Sequence, residues 1–427
     1  MIKITDKQLC CGCGACQQKC PKQCISLIQD NEGFSYPMID QSICIDCGLC
    51  ESVCHELHPY GKRKPLSVIA ANNKNTAVRL SSSSGGIFTL LAERTINKGG
   101  VVFGARFDGN WQVILDYTET IEGLDSFRGS KYVQANTQIT YRQAEKFLKE
   151  GRNVLFSGSP CQIAGLLHYL RKDYPNLLTV DFVCHGVPSP RVWRIYLNEI
   201  SEAGCKAISN VEFRNKDNGW KLFNFKLEYN KQDQNFTISS CHQDNHYMKA
   251  FLRNMILRPS CHKCKAKYGS SHSDITIADF WGVAETLPQM DDNKGTGLVL
   301  LNTVKGISYF PYGEVDYMES SLEAATKNNP GLNHIATPHP NRKEFFDNLC
   351  DEKSVVELIN LELPVLSRFS PKGIAKNLIK RYKILTINKI RWGRRVNIKG
   401  INYRNKDTGW TSYRLQIELD KICESEY

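Results

Sequence analysis

Residues 10–21 read CCGCGACQQKCP, and five of these twelve residues are cysteine. Cys10, Cys13, Cys16 and Cys20, followed by Pro21, fit the C-x2-C-x2-C-x3-C-P spacing whose thiolates wrap an iron–sulfur cube. The stretch CIDCGLCESVC at 44–54 repeats the spacing with Cys44, Cys47, Cys50 and Cys54. One such run could arise by chance, whereas two in succession define a two-cluster unit of the bacterial ferredoxin type. In such units the fourth cysteine of each run ligates the other cube. The expected sets are therefore Cys10, Cys13, Cys16 and Cys54 for one [4Fe-4S] cluster, and Cys44, Cys47, Cys50 and Cys20 for the second. Gly12, Gly14 and Gly48 tolerate backbone angles closed to other residues, so the loop amides can turn inward toward cluster sulfur.

Disulfides and zinc account for these eight thiols less well. Disulfide frameworks belong to small secreted chains, and nothing after Met1 reads as a hydrophobic export signal. Structural zinc prefers separated C-x2-C knuckles to paired four-cysteine runs. Cys11 and Cys24 fall outside the pattern and read as small apolar packing residues or oxidation-prone bystanders.

Working outward, 427 residues exceed one ordinary domain and suggest two or three. A composition of 41% hydrophobic and 23% charged residues is globular, which sets aside disordered and fibrous classes. Apolar runs such as ITIADFWGVA and GLVLLN fall short of the roughly 20 residues that span a bilayer. A cytoplasmic protein with at most peripheral membrane contact is expected. The formal net charge is +11. Two oxidised cubes, at roughly −2 each, bring it to about +7, a modest excess that makes no case for nucleic acid.

Residues 1–57 form the expected ferredoxin domain, with FSYPMID as a strand between the cysteine runs, and HPYGKRKP at 58–65 reads as a linker. Beyond it, Val-, Ile- and Phe-rich runs (LSVIAA, VVFGARF, NVLFSG, LLTVDFV) interleave with helical periods (GIFTLLAERTI, YRQAEKFLKE, PCQIAGLLHYLRK). That order predicts an α/β core with a largely parallel sheet over 66–310, whose ligands collect at strand-to-helix turns.

Three turns carry chemistry. In SSSSGGIFTLL, Ser83, Ser84, Gly85 and Gly86 precede a helix, where free amides favour a phosphate; a plain N-cap with flexible glycines reads equally well. In LFSGSPCQIAGLL, Gly158, Cys161 and Gln162 occupy a bend that resembles a nucleophile elbow, which would make Cys161 an acyl- or amide-attacking thiol. FVCHGVPSP offers Cys184 and His185. Cys261 and Cys264 then form an isolated C-x2-C pair needing two more donors: zinc could take Cys241, His242 or His246, and a cube could take Cys161 and Cys184.

The ordered motifs CCGCGAC, SSSSGG, GSKYVQ, GSPCQIAGL, FRNKDNGW and CHKCKAKYGSSHSDITIADFWG resemble the coenzyme F420 hydrogenase/dehydrogenase beta-subunit family, including members with an N-terminal two-cluster ferredoxin. The resemblance covers residues 1 to about 310. It implies FAD (or FMN) in the α/β core, at Ser83, Ser84, Gly85, Gly86, Gly158 and Gln162, and a third [4Fe-4S] cluster on core cysteines. A ligand's lone pairs are committed, which argues against a nucleophilic Cys161. Cys161 and Cys184 follow consecutive strands and should share one sheet edge with the cofactor crevice. A flavin that releases single electrons needs a one-electron acceptor nearby, which zinc is not. The expected third set is thus Cys161, Cys184, Cys261 and Cys264, with Lys131 as a catalytic cationic contact to flavin or substrate. Departures from the family pattern are Ala278 before DFWG, Cys11 in place of Thr, and His55 in place of the proline after Cys54.

The expected activity is an iron–sulfur flavoprotein oxidoreductase, exchanging a hydride with reduced deazaflavin F420 or another substrate and passing electrons to a redox partner protein. The alternatives are a non-catalytic electron-transfer subunit of a larger complex and a cysteine-dependent acyltransferase or amidase using Cys161. Residues 311–427 form a C-terminal extension with a basic segment, PKGIAKNLIKRYKILTINKIRWGRR, whose plain reading is a solvated helix. FRNKDNGWKLFNFKLEY at 213–229 is echoed by YRNKDTGWTSYRLQIEL at 403–419, which predicts a duplicated hairpin.

Overall fold

The alternation of apolar residues along VVFGARF and NVLFSG produces two strands buried on both faces. Val101 and Phe103 enter one apolar layer with Val154 and Phe156, while Val102 and Leu155 enter the opposite layer. That is the period-two consequence of strand geometry. The computed structural model describes residues 1–201 and 207–363 and, as strands, 396–404 and 411–419.

The chain divides into two units, Met1–Leu363 and Pro364–Tyr427. In the first, β1 (Ile25–Gln29) and β2 (Ser35–Ile39) form the ferredoxin hairpin. The main sheet has eight strands: β3 (Ser67–Asn73), β4 (Val101–Phe107), β5 (Val113–Thr118), β6 (Val154–Ser157), β7 (Leu177–Phe182), β11 (Ile275–Asp279), β12 (Gly297–Leu301) and β13 (Val315–Glu319). Their order is β13-β3-β12-β11-β7-β6-β4-β5. Three pairings are parallel: β4 with β6, β6 with β7, and β7 with β11. The sheet is thus mixed, its parallel centre carrying antiparallel strands at both flanks. Between β7 and β11 the chain inserts an antiparallel sheet of β8 (Ile208–Asn215), β9 (Asn224–Lys231) and β10 (Gln234–Cys241). It packs through Phe213, Phe225 and Leu227 on Trp193 and Tyr247.

Two expected boundaries differ. The core does not end at residue 310: β13 pairs with β3, which would otherwise present an open edge. Phe345, Phe346, Val355 and Ile359 likewise join the core around Trp193. Residues 1–57 are not a free domain either, since they lie in the same compact unit as the sheet. The linker is fastened too: Tyr60 stacks between His168 and His272 at 4.3 and 4.4 Å, and Arg63 donates to the carbonyl of Ser273.

In the second unit, β14 (Val396–Arg404) pairs antiparallel with β15 (Thr411–Leu419), so both copies of the repeated stretch form hairpins. The basic segment at 371–395, Cys205 and Cys423 lie outside the described residues.

Candidate redox site

Each ferredoxin run folds the same way: a left-handed glycine starts a short helix that carries the third cysteine. Gly14 (φ 76°) precedes Ala15–Lys19, with Cys16, and Gly48 (φ 72°) precedes Leu49–Ser52, with Cys50. The chain crossing brings Cys54 to the first run. Burial pushes the Cys16 thiol well up, and the further causes are its neighbours Cys13, Cys10 and Cys54. Cys20, Cys44, Cys47 and Cys50 surround a second small cavity, together with Cys24. Cys24 lies 3.3 Å from Cys20, so it touches this thiol set instead of standing apart. Cys47 is exposed, while the first set is walled by the core. Cys13 packs on the helix Pro160–Leu170 so closely that a Cβ on Gly165 would come within 2.9 Å of its sulfur.

The core thiols converge from three separate stretches of chain. Burial raises the Cys184 thiol well above its usual range, followed by the proximity of Cys261, Cys161 and Cys264. Cys161 and Cys261 act in turn on Cys264, which burial pushes up to about 12. Cys161 starts the helix after β6 and Cys184 follows β7, as the shared sheet edge predicts. Around Cys161 the structure gathers thiols. A hydrogen bond from Cys11 brings it down to about 7, and Ser159 Oγ lies 3.2 Å away.

Cys11 is therefore no bystander. It is buried, lies 3.0 Å from His55 Nε2, and reaches both Cys13 and Cys161. Among the described residues, Cys11, Cys13 and His55 form a potential ligand group with atoms within 4.8 Å of one another. The four core thiols act on one another through space around one site, a donor set of the kind a cube or a zinc ion takes.

A cavity of about 720 Å³ opens toward the carboxyl ends of the parallel strands. Ser83, Ser84, Gly85, Gly86, Lys131, Gly158, Gln162, Cys161 and Cys184 all line it, as do Cys11 and Gly12 of the ferredoxin loop. The structure refines what each offers. Ser83 Oγ accepts from Ser130 N at 2.7 Å and Ser84 Oγ donates to Thr296 O at 2.9 Å, so both hydroxyls already have partners. Gly86 (φ 78°) caps the ten-residue helix Ile87–Ile96 without any side-chain hydrogen bond. Its first-turn amides, with Arg128 on the same wall, remain for an anion. The Gln162 amide is committed to the fold: Oε1 accepts from Ser159 N at 2.9 Å and Nε2 donates to Ala135 O at 3.3 Å. Lys131 Nζ donates to the carbonyls of Arg128 and Gly129, and desolvation lowers its pKa to about 7.

Sequence reading attached no role to Arg214, Asp279, Trp220 or Trp281. Arg214 and Asp279 form a buried bidentate pair at 2.8 and 3.0 Å, and Arg214 also donates to Ser83 O, holding the SSSSGG loop. Trp220 donates to Asp279 at 2.7 Å and stacks on Trp281 at 4.6 Å. His185 is buried at the cavity wall, where, among the described residues, its Nε2 makes no well-formed hydrogen bond although Asn254 acts on the ring. The motifs FRNKDNGW and ADFWG were the available signal, but nothing local shows that they meet. His242, weighed above as a zinc donor, instead stacks on Phe223 at 4.0 Å and bonds the Phe223 carbonyl.

Fold and site together define an iron–sulfur protein with a ferredoxin-type unit docked on an α/β core. Residues 9–56 match the 4Fe-4S dicluster domain, and residues 151–321 match the C terminus of the coenzyme F420 hydrogenase/dehydrogenase beta subunit. The core over residues 151–321 is therefore similar to the C-terminal part of that beta-subunit family. The chain is 22% identical over 379 residues to a component of the F(420)H(2) dehydrogenase of Methanosarcina mazei, covering 83% of this chain and 96% of that one. A chain of the F420-reducing [NiFe] hydrogenase complex from Methanosarcina barkeri shares 18% identity at a TM-score of 0.44, covering 67% of this chain and 93% of that chain.

Proposed function

We propose that the chain is an iron–sulfur flavoprotein oxidoreductase that holds FAD or FMN in the large cavity and three [4Fe-4S] clusters on the thiol sets described above. One observation carries the reading: a single cavity is bounded by a free helix N-terminus at Gly86, by the core thiols Cys161 and Cys184, and by Cys11 of the ferredoxin loop. The donor set fits. A phosphate could meet the first-turn amides of Ile87 and Phe88, which no side chain caps, and His185 offers a polar contact on the wall. When bound, a flavin supplies hydride exchange with an organic substrate and single-electron exchange with iron–sulfur clusters.

The chain's own residues do the rest. Arg214 fixes the phosphate loop through Ser83 O, and Gln162 fixes the Cys161 turn through the Ser159 amide. Lys131 holds an ammonium that desolvation has made easy to discharge, beside the same wall. The exposed Cys47 end of the ferredoxin unit faces solvent, where a redox partner protein could exchange electrons. Among the described residues no helix is long and apolar enough to cross a membrane. Reduced F420 is the compound in the name of the Methanosarcina mazei relative, and we adopt it as the first donor to test. The core thiol cluster also displaces the acyl-transfer reading of Cys161, whose neighbours are thiols.

Chain purified without oxygen should carry about one flavin and about twelve irons. The double substitution Cys261→Ser/Cys264→Ser in the full chain should leave about eight irons, two cubes' worth. Protein with intact clusters that binds neither FAD nor FMN would instead be a non-catalytic electron-transfer subunit. Zinc recovered in place of the third iron set would refute the core cluster.

A further inference from the structure

Arg258 is a cation with no carboxylate paired to it among the described residues. Its side chain is fully buried, at 0% exposure. Each of its nitrogens donates to a neutral group or a thiol: Nε to Cys10 O at 2.8 Å, Nη1 to Gln134 Oε1 at 2.9 Å, and Nη2 to Ser35 O at 2.9 Å and Cys10 Sγ at 3.7 Å. The guanidinium lies over Tyr36 at 4.4 Å and Phe34 at 5.4 Å, which shut out water. Glu56 feels the charge only through space, and less than it feels His55 and Lys265. An uncompensated buried charge is strongly destabilising, so a fold that keeps one carries its counter-charge elsewhere. The acidic groups that act on Arg258 are Cys10 first, then the Tyr36 phenol, Cys11 and Cys261. Of these, cluster ligation would make Cys10 and Cys261 anionic.

This placement is specific. Gly12 approaches so closely that a Cβ there would meet Arg258 Nη1 and Gln134 Nε2 at 2.9 Å. Gln134 Nε2 also donates to Cys11 O at 3.0 Å, tying the cysteine loop, the guanidinium and the core wall into one unit. The cation beside the second thiol set is different: the Met1 ammonium is matched by Asp46 and Glu51 at 3.1 and 3.2 Å, on the surface.

Reducing a buried cube adds one negative charge where the dielectric is low, the step that burial opposes most. We propose that Arg258 sets the potential of the inner ferredoxin cube, on Cys10, Cys13, Cys16 and Cys54: its permanent charge, held against Cys10, raises the midpoint and makes that cube the acceptor of the electron leaving the core thiol site. The inference rests on the cluster assignment proposed above. One electron arrives from the core cube, no bond breaks, and no proton moves, because the guanidinium stays charged in both states. Arg258 acts through the cube and is a positioning residue.

The test is a potentiometric titration of the full chain, followed by electron paramagnetic resonance, with iron counted per chain. A Cys47→Ala background removes the outer cube's signal. Arg258→Gln should move the inner midpoint negative, shifting its reduced-to-oxidised ratio at least tenfold at fixed potential, about 59 mV for one electron. Arg258→Lys keeps the charge and should lose less than half as much. Gln134→Glu leaves the arginine in place and neutralises it, so it should also shift the midpoint negative, and it decides the matter if Arg258→Gln fails to assemble the cube. An unmoved midpoint in iron-complete Arg258→Gln, equal shifts for Gln and Lys, or an unmoved Gln134→Glu overturns the inference. Wild-type chain lacking the inner cube altogether would overturn the underlying cluster assignment instead.

Discussion

Replacing Asp279 with Asn preserves the side chain's size and removes the charge that Arg214 requires. The pair is bidentate, with the Arg214 side chain 5% exposed and Asp279 16% exposed, so solvent cannot take over the role of the lost partner. Breaking a buried pair from one side costs about 3–5 kcal/mol, because the remaining charge stays buried. The new amide retains an oxygen for the Trp220 indole, which favours the lower half of that range. With about 2.1 cal/mol/K of unfolding entropy per residue, a unit the size of Met1–Leu363 loses about 4–5 °C of melting temperature. The assay is anaerobic scanning calorimetry at several scan rates, with flavin content measured in parallel, since Arg214 also holds Ser83 O of the SSSSGG loop proposed to bind phosphate. Arg214→Gln/Asp279→Asn removes both charges and should recover at least half of the loss. A fall below about 1 °C for the single variant, or a double variant no better than Asp279→Asn, refutes the claim that the pair acts as a buried ion pair.

Gly85→Ala places a Cβ 2.4 Å from Ala71 O and 2.5 Å from Gly297 N, backbone atoms of β3 and β12 that cannot give way. Overpacking of about 1–3 kcal/mol, borne by the phosphate loop, should weaken flavin about 5- to 150-fold while iron stays complete, and unaltered flavin affinity would count against the site. Lys131 offers a pH test. Its free-state pKa of about 7 means an anionic ligand binds with proton uptake, so flavin affinity should be highest below that pH and decline as pH rises through it. Lys131→Met should flatten the profile measured by fluorescence titration. For stability the sign is the reverse of a salt bridge: the unfolded chain binds the Lys131 proton more tightly, so this group's contribution improves as pH rises above about 7.

The cysteine runs were legible because cluster ligation is written in short spacings: Cys10 to Cys20 and Cys44 to Cys54 are each one loop and one helical turn. The strands β4, β6 and β7 were legible for a similar reason, each being a local apolar run ended by a turn that glycine or proline marks. Even the meeting of Cys161 with Cys184 followed from the sequence, since consecutive parallel strands end at one edge. What only the tertiary structure decided are partnerships across long separations. Arg214 finds Asp279 because an inserted sheet folds back over β11, and Arg258 finds Cys10 because the ferredoxin unit docks on the core. Cys11 turns from a surplus thiol into the contact between two thiol sets for the same reason. Gln162 looked free for a cofactor, yet its amide is consumed three residues away at Ser159. Local spacing reports which backbone a segment prefers. Whether a charge or thiol ends up buried, and against what, depends on sheet order and docking, which arise from apolar burial summed over the whole unit.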